Sequence, residues 1–399
     1  MKIAVIGSKG LPPNQGGIEH HCAEIYSRIV ARGHEVRVFA RPSYNHRPWN
    51  ANYLYKGVQV MNLPSITFRG IDALVNSFLA AIVASFQQRD IIHFHALGPA
   101  VFCWIPRLLS PKSKVIVTCH GLDWQRSKWG NLSTRLLKLG ERTSVHSAHA
   151  IGVVSAELRK YFNDEHGRQT TYIGNAPANY PASDPSFSFG RSLGLASGRY
   201  MLFLGRLVPE KCPDLLIDAF QRLALTGWKL AFVGSQSDTP HYSDQLLALA
   251  NSNPDIVFCG ELRDERLAEI VRGAGLFVLP SEVEGLPLAL LEAMQEGIPV
   301  VASDIPVHCQ ILGRDRGLLF QGGNVEACSS ALTWAIQNLP LMSQRANRAQ
   351  AYVRQNHNWD DIVDAWLELY EQQLGYASVY PGSDASLPTQ APAALSKRS

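Results

Sequence analysis

The chain has 399 residues, of which 46% are hydrophobic and 18% are charged, a composition typical of a globular protein with material for two cores. Its seven cysteines are widely spaced and contain no Cys-x-x-Cys pair, which excludes a disulfide framework and favours a reducing cytoplasm. The net charge is +3, but residues 1–176 hold 21 basic and 10 acidic residues, against 16 and 24 in the remainder. This split predicts two domains with different partners.

No signal peptide is recognisable at the N-terminus, where the apolar run of residues 1–7 is too short for one and predicts a strand. The longest apolar stretch, residues 71–86, contains Asp72 and Asn76 and falls short of the roughly 20 residues of a spanning helix. We therefore expect a cytoplasmic protein. Any membrane contact is expected to be peripheral, between the basic N-terminal half and anionic lipid at the inner face of the cell membrane.

Apolar runs alternate with helical patterns along the first half of the chain. Strands are predicted at 3–6, 35–40, 58–63, 91–94, 114–118 and 150–154, with a helix at 19–32 completing the first β-α-β unit. After a Pro- and Ser-rich stretch the alternation resumes, with strands predicted at 200–204, 229–233, 256–259, 276–279 and 299–303. Helices are predicted at 214–225, 243–251, 262–273 and 287–295. This order predicts an α/β protein with two doubly wound, Rossmann-like domains that face a cleft.

The predicted domain boundaries follow from these patterns. Residues 1–178 form the N-terminal domain, 179–198 the linker and 199–356 the C-terminal domain. A final amphipathic helix is predicted within 357–375, and residues 376–399, rich in Ala, Ser and Pro, are expected to be a disordered tail.

The strongest local signal is the segment 281–293, in which a predicted strand is followed by Glu284, Gly285 and a helix that carries Glu292. Glycine lets the backbone approach a ligand closely, and amides at a helix N-terminus attract phosphate. We expect Leu286, Pro287 and Leu288 to form that helix start. Carboxylates accept several hydrogen bonds from sugar and ribose hydroxyls. The alternative is an ordinary helix start with a solvent-facing glutamate.

A second signal follows the strand at 200–204, where Gly205 and Arg206 precede Lys211 in one loop. Arginine can bind a diphosphate in bidentate fashion, and lysine acts as a point charge. Two such cations would stabilise a departing diphosphate. The alternative is a pair of surface cations.

Two loops of the N-terminal half also end strands. The long Gly- and Pro-rich loop 7–19 contains Gly16 and Gly17, whose amides could cover a ligand, although its spacing is not that of a dinucleotide fingerprint. His120 follows the strand at 114–118 and is expected near the cleft, where it could contact a sugar. His93 and His95 end another strand, and a zinc site is not expected there because no Cys or carboxylate accompanies them.

The segment 124–142 combines Lys and Arg with Trp and Leu, a composition typical of an interfacial helix or of a packed helix with a charged face. No Asp-x-Asp occurs in the chain, so the phosphates of a donor would be held without metal, by Arg206 and Lys211. No nucleic-acid-binding module is recognisable, and nucleic acid is not expected as a partner.

Taken together, these motifs resemble family 4 of the GT-B glycosyltransferases over about residues 1–374. The opening strand and the segment 120–130 resemble a bacterial subgroup, with rhamnosyltransferase-like members, that builds surface polysaccharide. The resemblance implies retaining transfer from a nucleoside diphosphate sugar and a last helix that returns to the first domain. The chain departs from the family pattern at Cys212, because family members usually have glycine directly after the lysine.

The resemblance also implies residue roles. Arg206 and Lys211 would bind the diphosphate, Glu292 the ribose and Glu284 the sugar. His120 would lie near the reacting carbon, and the loop of Gly16 and Gly17 would close over donor or acceptor. Contacts to the nucleobase are expected around residues 260–263, which include Glu261 and Leu262.

The expected co-substrate is a UDP-, dTDP- or GDP-sugar, and the expected acceptor is a lipid-linked or growing oligosaccharide. The sequence leaves open the sugar, the nucleobase, the linkage and the oligomeric state. Two other functions remain as alternatives: a nucleotide-sugar epimerase, which would isomerise the donor, and a non-catalytic sensor or scaffold, which would bind the donor without turnover.

Overall fold

The structure is a computed structural model that describes residues 1–13, 16–64, 71–125, 130–223, 225–234 and 240–376. The basic residues Arg126 and Lys128, with Trp129, lie outside the described residues, as does the predicted tail from residue 377.

Fourteen strands occur in the described part of the chain. Those of the N-terminal half are β1 (Lys2–Ile6), β2 (Glu35–Ala40), β3 (Asn52–Tyr55), β4 (Val58–Asn62), β5 (Ile91–His95), β6 (Lys114–Cys119), β7 (Ala150–Val153) and β8 (Thr171–Tyr172). Those of the C-terminal half are β9 (Tyr200–Leu204), β10 (Lys229–Val233), β11 (Ile256–Gly260), β12 (Leu276–Leu279), β13 (Val300–Ser303) and β14 (Leu318–Phe320).

Helices connect these strands. In the N-terminal half they are α1 (Gly17–Ala31), α2 (Pro42–Asn45), α3 (Ile71–Phe86), α4 (Leu97–Ala100), α5 (Trp104–Leu109), α6 (Asn131–Ser147) and α7 (Ala156–His166). From the linker onward they are α8 (Ser188–Ser192), α9 (Pro213–Leu223), α10 (Pro240–Ala250), α11 (Asp264–Arg272), α12 (Leu288–Gln295), α13 (Pro306–Leu312), α14 (Val325–Gln337), α15 (Leu339–Asn356) and α16 (Trp359–Leu374). Two 3₁₀ turns span Asp123–Gln125 and Pro209–Lys211.

The strands form two sheets, one in each half. Their orders are β3-β4-β2-β1-β5-β6-β7-β8 and β11-β10-β9-β12-β13-β14, and all pairings are parallel except the edge pair β3 and β4. Apolar runs such as Ile3–Ile6, fully buried, form the central strands because a parallel sheet is covered on both faces. The predicted fold class is thus confirmed.

Each sheet reverses its chain order at one place. The reversal lies between β1 and β5 in the first sheet and between β9 and β12 in the second. Ligands bind at such reversals, beyond the carboxyl ends of the strands. The loops after three of these strands, β1, β9 and β12, carry the predicted site residues Gly16, Gly205 and Glu284.

The last helix returns to the N-terminal domain, as predicted. Asn358 caps α16 by accepting a hydrogen bond from the amide of Asp360, and Trp366 and Tyr370 are fully buried among N-terminal residues. Trp366 packs on β7, where a Cβ atom at Gly152 would lie 2.3 Å from its ring. The chain therefore passes between the domains twice, through the linker and at the junction of α15 and α16.

Some boundaries differ from the sequence predictions. Helix α12 begins at Leu288 because Pro287 lies just outside it with extended backbone angles, and α11 begins at Asp264 rather than residue 262. The predicted linker contains α8, whose N-terminus is held by hydrogen bonds from Ser186 and Ser188 to Asp184. No helix among the described residues is long and apolar enough to cross a membrane.

Candidate functional site

The loops after β9 and β12 meet at one ion pair. The Lys211 Nζ atom lies 2.5 Å from Oε1 of Glu284, and Ser281 donates its hydroxyl to the same oxygen at 2.8 Å. The amide of Glu282 donates to the carbonyl of Glu210 at 3.0 Å, which ties the two loops together. The structure thus brings together the two strongest sequence motifs, which lie more than 70 residues apart in the chain.

This pair is shielded from solvent, with side-chain exposures of 15% for Lys211 and 11% for Glu284. Burial favours the neutral carboxyl, but the Lys211 ammonium outweighs it and holds the pKa of Glu284 below its usual value. His308 lies nearby, and burial lowers its pKa to about 4, so its imidazole is neutral. Glu284 is therefore a charged acceptor in the cleft.

Because Gly205 has no side chain, the side chain of Lys211 can lie directly over the loop after β9. A Cβ atom at Gly205 would be 3.3 Å from Lys211 Cδ, and one at Gly234, after β10, would be 1.9 Å from the Gly205 carbonyl oxygen. Arg206 is half-buried and makes no side-chain hydrogen bond or ion pair with the described residues. A cation with no counter-charge among the described residues, in the same loop as Lys211, suits the binding of an anion.

The start of α12 follows Glu284 directly. Pro287 makes no side-chain cap, so the amides of Leu288 and Ala289, the first two of the helix, have no hydrogen-bond partner among the described residues. One turn on, Glu292 accepts a hydrogen bond from the Tyr180 hydroxyl at 2.7 Å, a partner from the linker that the sequence did not reveal. Burial raises the pKa of Glu292.

The N-terminal domain reaches this region through backbone contacts. A Cβ atom at Gly285 would lie 1.9 Å from the carbonyl oxygen of His120, and one at Gly17 would lie 3.6 Å from Cδ1 of Leu288. Gly16, just before α1, has φ 99°, a conformation that favours glycine. The predicted residues of both domains therefore line one cleft.

His120 ends a buried chain of polar side chains. Its Nε2 atom lies 3.0 Å from Nδ1 of His95, and His95 Nε2 lies 2.6 Å from the Tyr26 hydroxyl. Tyr26 in turn lies 2.9 Å from Nδ1 of His93, which contacts the Tyr370 hydroxyl of α16 at 2.7 Å. The sequence analysis assigned no role to His93 or His95. Of the two, His95 contacts the His120 ring directly, and His93 is linked to it through Tyr26 and His95.

A cavity of about 430 Å³ opens beside Glu284 between the two domains. Its C-terminal wall includes Glu282 and Ile305, and its N-terminal wall is formed by α7 and the loop after β6. The wall residues of α7 include Glu157, Lys160, Tyr161 and Asp164. The cavity mixes apolar and carboxylate side chains, which suits a molecule with hydroxyl groups.

The predicted nucleobase region lies at the same sheet edge. The amide of Gly234 donates to the carbonyl of Gly260 at 2.9 Å, so the loop of Glu261 and Leu262 neighbours the loop of Gly205. Glu261 is paired with Arg263 at 2.6 Å. No side-chain contact joins Glu261 or Leu262 to Lys211 among the described residues.

Comparison with known proteins assigns each half of the chain to a family. Residues 15–176 match Glycosyltransferase Family 4, and residues 191–355 match Glycosyl transferases group 1. Together the two matched ranges span most of both domains.

Two relatives and one solved structure are similar over nearly the whole chain. The D-inositol 3-phosphate glycosyltransferase of Rhodococcus erythropolis is 25% identical, over 90% of this chain and 86% of its own. The GDP-mannose-dependent alpha-mannosyltransferase of Mycolicibacterium smegmatis is 26% identical, over 95% and 99%. The crystal structure of Anabaena Alr3699/HepE in complex with UDP-glucose superposes with a TM-score of 0.77 at 19% identity, covering 93% of this chain and 100% of that one.

Three observations indicate the same family of proteins. They are the two family matches, the paired Rossmann-like domains and the residues that meet in the cleft. The resemblance to a rhamnosyltransferase-like subgroup stays a prediction. The chain is an enzyme that belongs to the GT-B glycosyltransferases, with a family 4 domain followed by a group 1 domain.

Proposed function

We propose that the chain transfers a sugar, with retention of configuration, from a nucleoside diphosphate sugar to a hydroxyl acceptor. The observation that carries this proposal is the Lys211–Glu284 ion pair, whose two loops also carry Arg206 and lead into the start of α12. Positive charge for a diphosphate and a charged acceptor for sugar hydroxyls are thereby available within one small region of the cleft.

In this proposal Arg206 and Lys211 bind the diphosphate together with the amides that open α12. Glu284 accepts hydrogen bonds from the sugar, and Glu292 binds the ribose. Since the Tyr180 hydroxyl already donates to Glu292 at 2.7 Å, the ribose hydroxyl shares that carboxylate or displaces Tyr180. Backbone groups at Glu261 and Leu262 contact the nucleobase.

The chemical step breaks the bond between the anomeric carbon and the diphosphate oxygen and forms a bond to the acceptor oxygen on the same face. The acceptor proton moves to the departing diphosphate. Arg206 and Lys211 stabilise the charge that develops there, a task that needs no metal ion. His120 lies at the reacting end, and closure of the domains excludes water.

The class of donor is supported by the relatives. One is named for its dependence on GDP-mannose, and one solved structure holds UDP-glucose. Because these two differ in both sugar and nucleobase, UDP-, GDP- and dTDP-sugars all belong in the test.

We propose a lipid-linked or growing surface glycan as the acceptor, used at the inner face of the cell membrane. The support is the exposure of apolar side chains on α3, α5 and α6 of the N-terminal domain, where Phe86, Leu108 and Leu132 are 71%, 70% and 74% exposed. Arg107 and Arg135 lie on the same helices. Apolar side chains interleaved with cations are typical of peripheral contact with anionic lipid.

The test is a thermal-shift screen against the three classes of donor, followed by transfer assays with the donor that binds. The acceptor probe is a synthetic saccharide linked through diphosphate to a polyprenyl chain. Release of nucleoside diphosphate with a new glycoside of unchanged anomeric configuration is expected. An isomerised donor would indicate an epimerase, and binding without turnover would indicate a sensor; either result contradicts the proposal.

The Lys211→Ala variant should lower turnover by about 10²- to 10³-fold, the cost of removing one group that stabilises developing charge. Arg222→Ala is a matched control, since Arg222 forms an exposed ion pair with Glu326 on the far helices α9 and α14. Turnover at the wild-type rate in Lys211→Ala would remove the basis of the proposed mechanism.

A further inference from the structure

Three histidines from separate elements meet on the N-terminal side of the cleft. His21 lies on α1, His95 ends β5 and His120 follows β6. One ring nitrogen from each lies within 4.8 Å of the other two. A zinc site was not expected from the sequence, because no Cys or carboxylate accompanies His93 and His95, and His21 lies 74 positions before His95 in the chain.

The hydrogen bonds around His21 point its lone pair into this cluster. Its Nδ1 atom lies 2.6 Å from Oδ1 of Asn175, an acceptor, so Nδ1 carries the proton and Nε2 does not. Nε2 is buried and has no hydrogen-bond partner among the described residues. An imidazole held by a second partner, with its other nitrogen left unprotonated, is the usual arrangement of a metal ligand.

The other two rings present nitrogens to the same place. His95 contacts the Tyr26 hydroxyl through Nε2 at 2.6 Å, which turns Nδ1 toward Nε2 of His120, 3.0 Å away.

We infer that His21, His95 and His120 form a binding site for one divalent transition-metal ion of the Zn²⁺ class. Tetrahedral coordination with Zn–N distances of about 2.0–2.1 Å separates the ligand nitrogens by about 3.4 Å. The observed separations bracket this value, with 3.0 Å between His95 and His120 and at most 4.8 Å within the cluster. Imidazole favours zinc, copper and nickel over magnesium or calcium. The fourth position, on the cleft side of His120, is left for water or a ligand hydroxyl.

The site shares no residue with the proposed donor-phosphate site, which uses Arg206 and Lys211. The test therefore measures metal binding alone. Full-length protein is treated with a chelator, dialysed and titrated calorimetrically with Zn²⁺. One ion per chain is expected. Substitution with Co²⁺ should give the visible absorption of tetrahedral coordination.

Two variants remove ligands, and a third removes a supporting contact. His21→Ala and His120→Ala should each weaken Zn²⁺ binding by at least about 100-fold, and Asn175→Ala by about 10- to 100-fold. His146→Ala, an exposed histidine on α6, is the matched control and should leave binding unchanged. Circular dichroism verifies folding, and the half-buried His120 provides the test if the buried His21 variant does not fold.

The inference is overturned if the wild-type chain binds no Zn²⁺, or if folded His120→Ala binds it as tightly as the wild type. Zn²⁺ should also raise the unfolding midpoint of the wild-type protein but not that of His120→Ala, because the ion stabilises only a folded chain with an intact site. Equal shifts in both proteins would likewise contradict it.

Discussion

Gly285 of the C-terminal domain meets the carbonyl oxygen of His120 in the N-terminal domain so closely that a Cβ atom would lie 1.9 Å from that oxygen. This contact joins the loop of Glu284 to the residue that ends the buried histidine chain. The two domains therefore approach the reacting centre backbone against backbone, with no side chain between them.

Gly285→Ala should lower kcat/KM by about 10- to 100-fold, because the added methyl group keeps the domains from closing and misplaces the reacting groups. Steady-state kinetics with the donor identified in the binding screen measures the effect. The thermal midpoint should stay near that of the wild type. Gly130→Ala is the control, since a Cβ atom there meets nothing within 4 Å; equal kinetics in the two variants would contradict the closure argument.

The Lys211–Glu284 pair predicts a pH-dependent stability. The folded pKa of Glu284 lies below its usual value, although burial opposes this, because Lys211 is adjacent. The pair therefore stabilises the fold above the unfolded pKa of about 4.3, and this stabilisation is lost as the pH falls through the lower folded pKa.

In Lys211→Met the pKa shift of Glu284 changes direction. Burial without the lysine ammonium raises the pKa of Glu284 above its unfolded value. The variant should be less stable by about 3 kcal/mol at pH 7 and should approach the wild type as the pH falls toward about 4. Urea unfolding at several pH values measures this. Adding Glu284→Gln should recover much of the loss at pH 7, and a deficit that is independent of pH would refute the explanation.

The exposed apolar side chains on α3, α5 and α6 predict binding to anionic vesicles. Leu108→Asp with Leu132→Asp should weaken binding to phosphatidylserine vesicles at least about tenfold, because each leucine contributes apolar burial and each aspartate repels the lipid. Vesicle sedimentation measures the partition. Leu247→Asp, at a 48% exposed leucine on α10, is the matched control. Failure of the wild-type protein to sediment with these vesicles would exclude the membrane contact.

The packing of Trp366 on Gly152 predicts a stability effect far from the cleft. Gly152→Ala should destabilise the protein by about 1–3 kcal/mol, because a Cβ atom would lie 2.3 Å from the indole ring. Chemical unfolding measures the change. The double variant with Trp366→Phe should recover part of the loss because the smaller ring leaves room, and additive losses in the two variants would argue against this contact.

The sequence predicted the elements whose signal is local. Apolar runs located the central strands, and the glycine-containing loops after β9 and β12 pointed to Lys211 and Glu284. Both loops follow a strand and precede a helix, so their place at one edge of a parallel sheet could be inferred before the structure was known.

Partners that meet only in the folded chain could not be predicted. His21 lies within an amphipathic helix, and nothing local shows that Asn175 orients its ring. The Tyr180 hydroxyl on Glu292 comes from a segment predicted as a plain linker. Hydrophobic periodicity reports which face of an element is buried, not which polar groups meet there.

The two passages of the chain between the domains lie side by side. His357, at the junction of α15 and α16, contacts the carbonyl oxygen of Asn175 at 2.8 Å, and Trp359 donates its indole N–H to the carbonyl of Pro177 at 2.9 Å. Because the chain crosses between the domains at these two places, a rotation about their shared line moves the domains relative to each other without stretching either crossing. Small backbone changes near residues 176 and 358 grow with distance from that axis, so the cleft mouth moves farthest while the two passages stay joined.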